Sequence, residues 1–308
     1  MKATMVMGAP ASGKSTTTES LLGDAVHLNR DIAGGATLSL LPKFMAALQN
    51  GQDVIIDGLF PTAARRKPFV DAAKKCGAPI SCYHVTTSIE DSQINALHRM
   101  WRKYATIHFT AQKMKEIKDP GTFPIVVLFQ YRKELEKPST AEGFDKITPV
   151  KFVRRSLGYT NKAVLVDYDG TLRESTGVRV YPIAPHEVEV KPGVGERLAE
   201  YKSQGYIILG VSNQSGVGKG EFTIDEARAC FDKTHEDIGI TFDYEFCPHK
   251  VPPISCYCRK PQSGMGVKLI ESYYLNPAEC IMVGDQTTDK TFAKRLGFQF
   301  EHASGFFK

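Results

Sequence analysis

The sequence lacks the features of a membrane or secreted protein. No apolar run approaches the length that spans a bilayer, so we expect no membrane association. Met1 leads directly into an apolar, strand-like run, so we also expect no signal peptide and a cytoplasmic protein. The formal charge of +5 comes without a long lysine or arginine run, which permits a polyanionic partner without requiring one.

The sequence also lacks internal repeats, low-complexity tracts and an even set of cysteines. Its 308 residues are natural for two domains. The seven cysteines are an odd number, and three of them lie between positions 247 and 258. This pattern favours reduced thiols and a metal ion over a disulfide framework.

Two carboxylates follow a short apolar run at 163–166. Asp167 and Asp169 precede Gly170 and Thr171, and the run is typical of a buried parallel strand. Open α/β sheets place their active sites at the carboxyl ends of strands. We therefore expect one carboxylate to act as nucleophile, the other as general acid and base, and a metal ion beside them. A solvated turn would show the same residue types.

A glycine-rich loop follows the first predicted strand, 3–7. Residues 8–15 read GAPASGKS and match the phosphate-binding P-loop pattern, between a strand and a predicted helix. Backbone N–H groups of such a loop surround phosphate oxygens, while Lys14 neutralises the phosphates and Ser15 ligates Mg²⁺. The predicted ATP-binding residues of the loop are Gly8, Ala9, Pro10, Ala11, Ser12, Gly13, Lys14, Ser15 and Thr16.

Two further carboxylates end predicted strands in the N-terminal half. Asp31 is the candidate base that accepts a proton from an acceptor hydroxyl, and Asp57 could hold the acceptor or help place the metal. Either could instead be a helix cap or turn residue. Arg99 and Arg102, on a helix predicted at 89–104, could form a lid over the transferring phosphate, or could simply stabilise the end of the helix.

These motifs together resemble the kinase domain of the polynucleotide 5′-kinase/3′-phosphatase family. The resemblance covers 8–16, 28–31, 54–57, 130–134 and 138–144. It implies ATP as phosphate donor, DNA or RNA ends as acceptor and a functional link to a ligase. By this resemblance, phosphate, metal, general-base and acceptor-site roles fall on Lys14, Ser15, Asp31 and Asp57.

The chain departs from that family at two places. Gly58-Leu59-Phe60 follows Asp57 where the family has Thr and Asn, and Ile94 stands before Asn95 where it has Arg. These departures leave open a nucleotide-binding module with degenerate kinase activity.

Three later stretches complete the site begun by Asp167 and Asp169. Ser212 and Asn213 end a predicted strand and could bind a phosphoryl oxygen, and Lys260 could balance its charge. An acidic stretch at 284–289 follows another strand. Mg²⁺ prefers oxygen ligands. The predicted magnesium ligands here are Asp167, Asp169 through its backbone, and Asp285, while Asp289 either joins the metal shell or supports Lys260.

This order of motifs resembles the haloacid dehalogenase (HAD)-like phosphatases. The resemblance implies that Asp167 forms an aspartyl-phosphate, and that Asp169 protonates the leaving group and then activates water.

A second metal site is predicted from two tight pairs of sulfur and nitrogen ligands. Cys247 and His249 form one pair, and Cys256 and Cys258 form the other, which suits a closed tetrahedral zinc site. The ion could staple the loop at 250–255. Free thiols beside a surface histidine are the alternative. The cluster and the stretch 212–223 resemble the histidinol-phosphate and heptose-bisphosphate phosphatases.

The sequence thus predicts two α/β domains with parallel sheets, a P-loop kinase-like domain over 1–152 and a HAD-like, Rossmannoid domain over 160–308. The leading hypothesis is a nucleic-acid end-processing enzyme that phosphorylates 5′-hydroxyl ends and removes 3′-phosphates. A small-molecule kinase fused to a sugar-bisphosphate or histidinol-phosphate phosphatase is the alternative.

Overall fold

The computed structural model of the protein describes residues 1–107, 110–117, 119, 121–250 and 256–308. The chain forms two compact units, one made of Met1–Ala96 and Lys118–Arg155, the other of Leu97–Ile117 and Ser156–Lys308. Compactness alone does not delimit a domain that folds independently, so the limits 1–152 and 160–308 stay predictions.

The first unit is built on a parallel sheet. Its strands are β1 (Ala3–Met7), β2 (Val26–Asn29), β3 (Val54–Gly58), β4 (Ile80–Val85) and β5 (Lys146–Val150). They lie in the order β2-β3-β1-β4-β5. All of β1 is buried, because it is the central strand with neighbours on both sides.

Helices connect these strands. In the first 155 residues they are α1 (Lys14–Leu21), α2 (Arg30–Ala33), α3 (Leu41–Gln49), α4 (Ala63–Lys75), α5 (Ile89–Tyr104), α6 (Ala111–Ile117) and α7 (Val126–Glu134). The end of α5 and all of α6 belong to the second unit. Short 3₁₀ turns lie at Thr37–Leu40 and Thr140–Glu142.

A buried arginine ties the late part of the first unit to α4. The Arg66 guanidinium is fully buried and donates two hydrogen bonds to the Glu142 carboxylate, at 2.7 and 2.8 Å, and one to the Phe60 carbonyl at 2.9 Å. The Phe69 ring meets the Phe44 and Phe60 rings edge-on at 5.4 and 5.6 Å in the adjoining core. The stretch 138–144, singled out in the sequence, therefore has a structural anchor in Glu142.

The second unit is built on another parallel sheet. Its strands are β6 (Ala163–Val166), β9 (Ile207–Asn213), β10 (Tyr244–Cys247), β11 (Ile281–Gly284) and β12 (Gln299–His302), and an antiparallel pair is formed by β7 (Arg173–Ser175) and β8 (Val188–Val190). The sheet order is β10-β9-β6-β11-β12. The central strand β6 ends immediately before Asp167, so this unit presents its carboxylates where its topology reverses.

The helices of the second unit pack on this sheet. They are α8 (Val194–Ser203), α9 (Ser215–Lys219), α10 (Ile224–Ile238), α11 (Gly264–Tyr273), α12 (Thr287–Leu296) and α13 (Ala303–Phe306), with 3₁₀ turns at Pro185–Glu187 and Pro277–Glu279. The two parallel-sheet units confirm the predicted fold class. Every helix in the described ranges is too short or too polar to cross a membrane.

Candidate active sites

The P-loop lies between β1 and α1, as predicted. Gly13 takes φ +96° at the N-cap of α1, a conformation that favours glycine. A Cβ on Gly8 would come within 3.0 Å of the Val85 carbonyl oxygen. The Lys14 ammonium donates to the Ala9 carbonyl at 2.6 Å, so its side chain curls back over the loop. This concave backbone at the start of a helix suits phosphate oxygens.

Two side chains from outside the loop fix its shape. Thr87 donates its hydroxyl to the Ser12 carbonyl at 2.6 Å, and Asn95, on α5, donates its amide to the Ala11 carbonyl at 3.0 Å. Ala11 has φ +57°, which a non-glycine residue rarely adopts, so these bonds hold a strained turn. The sequence analysis gave no role to Thr87 or Asn95, because their partners lie far away in the chain.

The two predicted kinase carboxylates have different surroundings. Asp31, on α2, is 60% exposed and pairs with the neighbouring Arg30 at 3.1 Å. Asp57, at the end of β3, is 1% exposed, accepts hydrogen bonds from Thr18 at 3.3 Å and from the Asn29 amide, and faces the His27 ring. An exposed carboxylate can receive an acceptor hydroxyl, whereas Asp57 is enclosed by its own partners. Both predicted roles stay predictions.

The predicted lid arginines lie in the part of α5 that belongs to the second unit. Burial raises the pKa of Tyr257, and the charge of Arg99 opposes that shift. A hydrogen bond to Glu271 raises the pKa of Tyr159, and the charge of Arg102 opposes that shift. Their predicted contact with ATP stays a prediction.

The second site brings three predicted carboxylates together. Oxygens of Asp167, Asp285 and Asp289 lie within 4.8 Å of one another, where β6, β11 and α12 meet. Such a set of hard oxygen ligands fits a magnesium ion. Gly170 has φ +85°, and a Cβ there would come within 2.5 Å of an Asp285 oxygen. A glycine at this position therefore lets the Asp285 carboxylate pack against the backbone that follows Asp169.

Lys260 is the buried cation of this cluster. Its ammonium lies 2.6 Å from Asp167 and 2.8 Å from Asp289, and it donates to the Val211 carbonyl at 2.9 Å. The Asn213 amide holds the Lys260 backbone through two hydrogen bonds, 2.9 Å to its N–H and 3.1 Å to its carbonyl. The side chain of Asn213 thus positions the lysine, while phosphate binding by Asn213 and Ser212 stays a prediction.

Burial governs the ionisation of the cluster. It raises the pKa of Asp167 to about 7, although the Lys260 ammonium lowers it, and it also raises the pKa of Asp285. The raised pKa values mean that full ionisation of the three carboxylates is unfavourable with Lys260 as the only cation beside them. A divalent cation would supply the further positive charge.

A cavity of about 750 Å³ opens onto these groups. Asp169, Ser212 and Lys191 line it together with the carboxylate cluster. The Lys191 ammonium donates to the Gly170 carbonyl and pairs with Glu174 at 2.7 Å. Sequence reasoning missed Lys191, since no motif marks it.

Asp169 is held by residues that the sequence analysis did not assign. Arg173 donates from Nε to one carboxylate oxygen at 2.8 Å, and the Gln214 amide donates to the other at 2.8 Å. Gln214 also donates to the Ser212 hydroxyl at 2.9 Å. Gln214 directly follows Ser212 and Asn213, so its position at the same strand end could have marked it as a site residue.

The Cys/His cluster also assembles as a compact set. Cys247, His249, Cys256 and Cys258 offer ligand atoms that all lie within 4.8 Å of one another. The Cys247 and Cys256 sulfurs are 3.6 Å apart, and His249 Nδ1 lies 3.4 Å from Cys247 and 3.1 Å from Cys258. Two ligands about 2.3 Å from a tetrahedral ion would be roughly 3.7 Å apart, so the donor set fits zinc. The loop at 250–255 lies, from 251 onward, outside the described residues.

Comparisons with known proteins agree with both units. A family model described as AAA domain matches residues 4–119, and one described as HAD-hydrolase-like matches 257–300. The probable D-glycero-D-manno-heptose-1,7-bisphosphate 7-phosphatase of Thermoplasma volcanium is 33% identical over 144 residues, which cover 45% of this chain and 96% of the relative. The corresponding phosphatase of Haemophilus ducreyi is 32% identical, covering 44% and 79%.

Some solved structures resemble the second unit of this chain, and others resemble nearly the whole chain. The D,D-heptose 1,7-bisphosphate phosphatase of B. bronchiseptica, complexed with magnesium and phosphate, has 26% identity and a TM-score of 0.41, covering 46% of this chain and 79% of that one. A chain of the Pnkp1/Rnl/Hen1 RNA repair complex has 18% identity and a TM-score of 0.33, covering 98% and 95%.

Fold, site and family models define a P-loop kinase domain joined to a HAD-like phosphatase domain in one polypeptide. More particularly, the chain belongs to the HAD-like family of the D-glycero-D-manno-heptose-1,7-bisphosphate 7-phosphatases.

Proposed function

We propose that the protein repairs nucleic-acid ends: its first unit transfers the ATP γ-phosphate to a 5′-hydroxyl, and its second removes a 3′-phosphate. The main support for the phosphatase activity is the ion-paired group of Asp167, Lys260 and Asp289. It holds the proposed nucleophile, Asp167, against a buried cation before substrate arrives. Such processed ends are what a ligase joins, so a functional link to a ligase is part of the proposal.

In the phosphatase reaction, a carboxylate oxygen of Asp167 attacks phosphorus. The P–O bond to the 3′-oxygen breaks, and Asp169 gives that oxygen a proton. Water then attacks the aspartyl-phosphate, giving its proton back to Asp169, and the bond to Asp167 breaks to release phosphate. The Lys260 ammonium balances charge on Asp167 and on the phosphoryl oxygens throughout.

Two metals belong to this proposal. Asp167, Asp285 and Asp289, with the Asp169 backbone, would hold Mg²⁺, which supplies further neutralisation of the phosphoryl oxygens. Cys247, His249, Cys256 and Cys258 would hold a structural Zn²⁺, which would tie the end of β10 to the stretch that leads into α11.

In the kinase reaction, the loop at 8–13 and Lys14 hold the phosphates, and Ser15 would hold the Mg²⁺ that accompanies ATP. Asp31 takes the proton as the acceptor oxygen attacks the γ-phosphorus, and the bond from that phosphorus to the β–γ bridging oxygen breaks to release ADP. Its exposure suits an acceptor that arrives from solvent.

The shape of the second unit supports a polymer as the phosphatase substrate. The connection between β7 and β8 contains twelve residues, 176–187, which is too few for a separate cap domain over the cavity. A nucleic-acid end could therefore reach Asp167 without being enclosed.

A second candidate function rests on the relatives. Identity of 33% to a heptose-bisphosphate phosphatase over 144 residues favours a sugar bisphosphate as substrate, with a small-molecule kinase in the first unit. Folds host many substrates, so family membership alone does not choose between the candidates.

One two-substrate assay separates them. Labelled ATP with a 5′-hydroxyl oligonucleotide should give labelled oligonucleotide with the wild type and none with Lys14→Ala. A 3′-phosphate oligonucleotide should lose phosphate with the wild type and with Lys14→Ala, but not with Asp167→Asn. Phosphate release from a sugar bisphosphate alone would support the second candidate. Failure of the wild type to transfer label would reduce the first unit to nucleotide binding.

A further inference from the structure

The carboxylate of Asp169 is held on both oxygens, and one of its two partners is a buried arginine. We propose that Arg173 is a positioning residue, which fixes Asp169 in the orientation that delivers a proton to the leaving group and later takes one from water. This inference rests on the proposed phosphatase function of the second unit.

A tight turn brings Arg173 back to Asp169. The Arg173 N–H donates to the Tyr168 carbonyl at 3.1 Å, and the Gly170 N–H donates to the Arg173 carbonyl at 2.9 Å. Asp169 and Arg173 also form an isolated bridge. Asp169 and Arg173 are four residues apart in the chain, and the backbone hydrogen bonds of this turn bring the guanidinium next to the carboxylate.

The guanidinium is anchored from the opposite side by α10. Its Nη1 donates to the Cys230 carbonyl at 2.6 Å and to the Thr234 hydroxyl at 2.8 Å. It lies 5.3 Å from the centre of the Tyr168 ring and 5.1 Å from that of Phe231, and the residue is 1% exposed. An arginine fixed by hydrogen bonds and ring contacts cannot follow a moving partner, so it holds the carboxylate still.

Fixing the carboxylate has a chemical purpose because Asp169 lines the cavity beside Asp167 and its side chain remains 19% exposed. The same group must meet the ester oxygen in one step and a water molecule in the next. A small misorientation weakens both proton transfers. Arg173 and Gln214 donate to different oxygens, so together they define the plane of the carboxylate.

The inference predicts a dependence on the leaving group. An alkyl phosphate releases a strongly basic oxygen that needs a proton, whereas 4-nitrophenyl phosphate releases a weakly basic one that does not. Arg173→Met should lower kcat for a 3′-phosphate oligonucleotide and for glycerol phosphate about 100-fold or more. Its first turnover of 4-nitrophenyl phosphate should change by no more than about a few fold.

A rapid initial release of nitrophenol, a burst before steady turnover, provides a second readout. Because water activation on the aspartyl-phosphate is also slowed, Arg173→Met should release about one equivalent of nitrophenol rapidly and then turn over slowly. Arg173→Lys, which keeps the charge but loses the planar fork, should recover part of the alkyl rate.

Thr234→Val is the matched control. It removes one of the two α10 anchors of Arg173 while leaving the contact with Asp169, so it should change the ratio of alkyl to aryl rates much less than Arg173→Met does. If Arg173→Met does not fold, Gln214→Leu tests the other donor to Asp169, with the same direction of change expected.

Equal losses on alkyl and aryl substrates, without a burst, would show that Arg173 is structural and overturn the inference. A wild type that hydrolyses only the aryl ester would overturn it as well, because no general-acid step would be in use. Hydrolysis of glycerol phosphate but not of the oligonucleotide would instead contradict the proposed substrate, and the positioning role would still be decided by the ratio of rates.

Discussion

The two phosphate-handling centres differ in how far the protein prepares them in advance. In the second unit Asp167, the proposed nucleophile, pairs with a buried lysine at 2.6 Å, and Asp169 is held on both oxygens. In the first unit the candidate base Asp31 is exposed and its ion-pair partner is the adjacent Arg30. A covalent nucleophile must be in place before substrate arrives. Phosphoryl transfer between two bound substrates depends more on a rigid phosphate cradle, which the loop supplies.

The largest expected effects test this contrast with the same substitution at both centres. Asp167→Asn should abolish phosphate release, by at least about 10⁴-fold, because the amide cannot form the aspartyl-phosphate. Asp31→Asn should lower transfer to a 5′-hydroxyl only about 10- to 100-fold, because a loose transition state draws little on a base. Single-turnover assays on the same preparations measure both.

Each variant serves as the control for the other. Asp167→Asn should keep kinase activity, and Asp31→Asn should keep phosphatase activity. If Asp31→Asn proved as damaging as Asp167→Asn, the first centre would depend on its carboxylate as strictly as the second, and the contrast would disappear.

Removal of zinc should have the next largest effect, a loss of stability that is limited to the second unit. Cys256→Ser, or incubation with a strong chelator, should destabilise that unit by several kcal/mol, since structural zinc contributes directly to folding. Hydrogen exchange should show lost amide protection in α11 and β11, while β1 and β3 keep theirs.

Cys280→Ser is the matched substitution, because Cys280 is buried outside the cluster and its thiol donates to the Asn276 carbonyl. It should cost about 1 kcal/mol and leave zinc content unchanged. Purified protein without zinc, or equal effects of the two serine variants, would contradict the assignment.

The first unit is stabilised by the ion pair of the buried Arg66 with Glu142, a contact of a different kind from the Cys/His cluster of the second unit. Glu142→Gln should destabilise it by about 3–5 kcal/mol, because the buried Arg66 charge would lose its carboxylate. Denaturant unfolding measures this loss, with exchange in β4 and β5 as the local readout. Glu134→Gln is the control, since its pair with Arg65 is 3.8 Å long and partly exposed and should contribute less than about 1 kcal/mol. Equal losses would show that burial does not strengthen the Arg66 pair.

The sequence predicted the groups that lie at strand ends and missed those that hold them. Asp167 and Asp285 directly follow apolar strands, and Lys260 belongs to a motif between them in the chain, so a local sequence pattern marks each of these residues. Glu142 lies 76 residues from Arg66, and Asn95 lies 84 from Ala11, so only tertiary packing pairs them. Arg173 lies only four residues from Asp169, yet that spacing predicts a contact on a helix, whereas here a turn makes it.

The smallest predicted effect is a pH dependence carried by the second unit. His235 on α10 is buried, with its Nε2 2.8 Å from the Tyr168 hydroxyl, and burial lowers its pKa. Asp232 and Asp243 oppose this shift, and Arg173 adds to it. The unfolded chain binds a proton near pH 6.5 while the folded chain stays neutral. Stability should therefore fall as the pH drops below about 6.5, by at most about 1.4 kcal/mol per pH unit from this group.

The difference in unfolding free energy between wild type and His235→Gln, measured from pH 7.5 to 5.5, isolates that contribution. It should shrink on acidification, because glutamine has no proton to gain. His186→Gln, at an exposed position of the same unit, controls for the general effect of a histidine-to-glutamine substitution. A constant difference for His235→Gln would mean that the buried ring is protonated in the folded chain as readily as in the unfolded one. The Tyr168 hydroxyl would then have to act as acceptor to a charged ring rather than as donor to a neutral one.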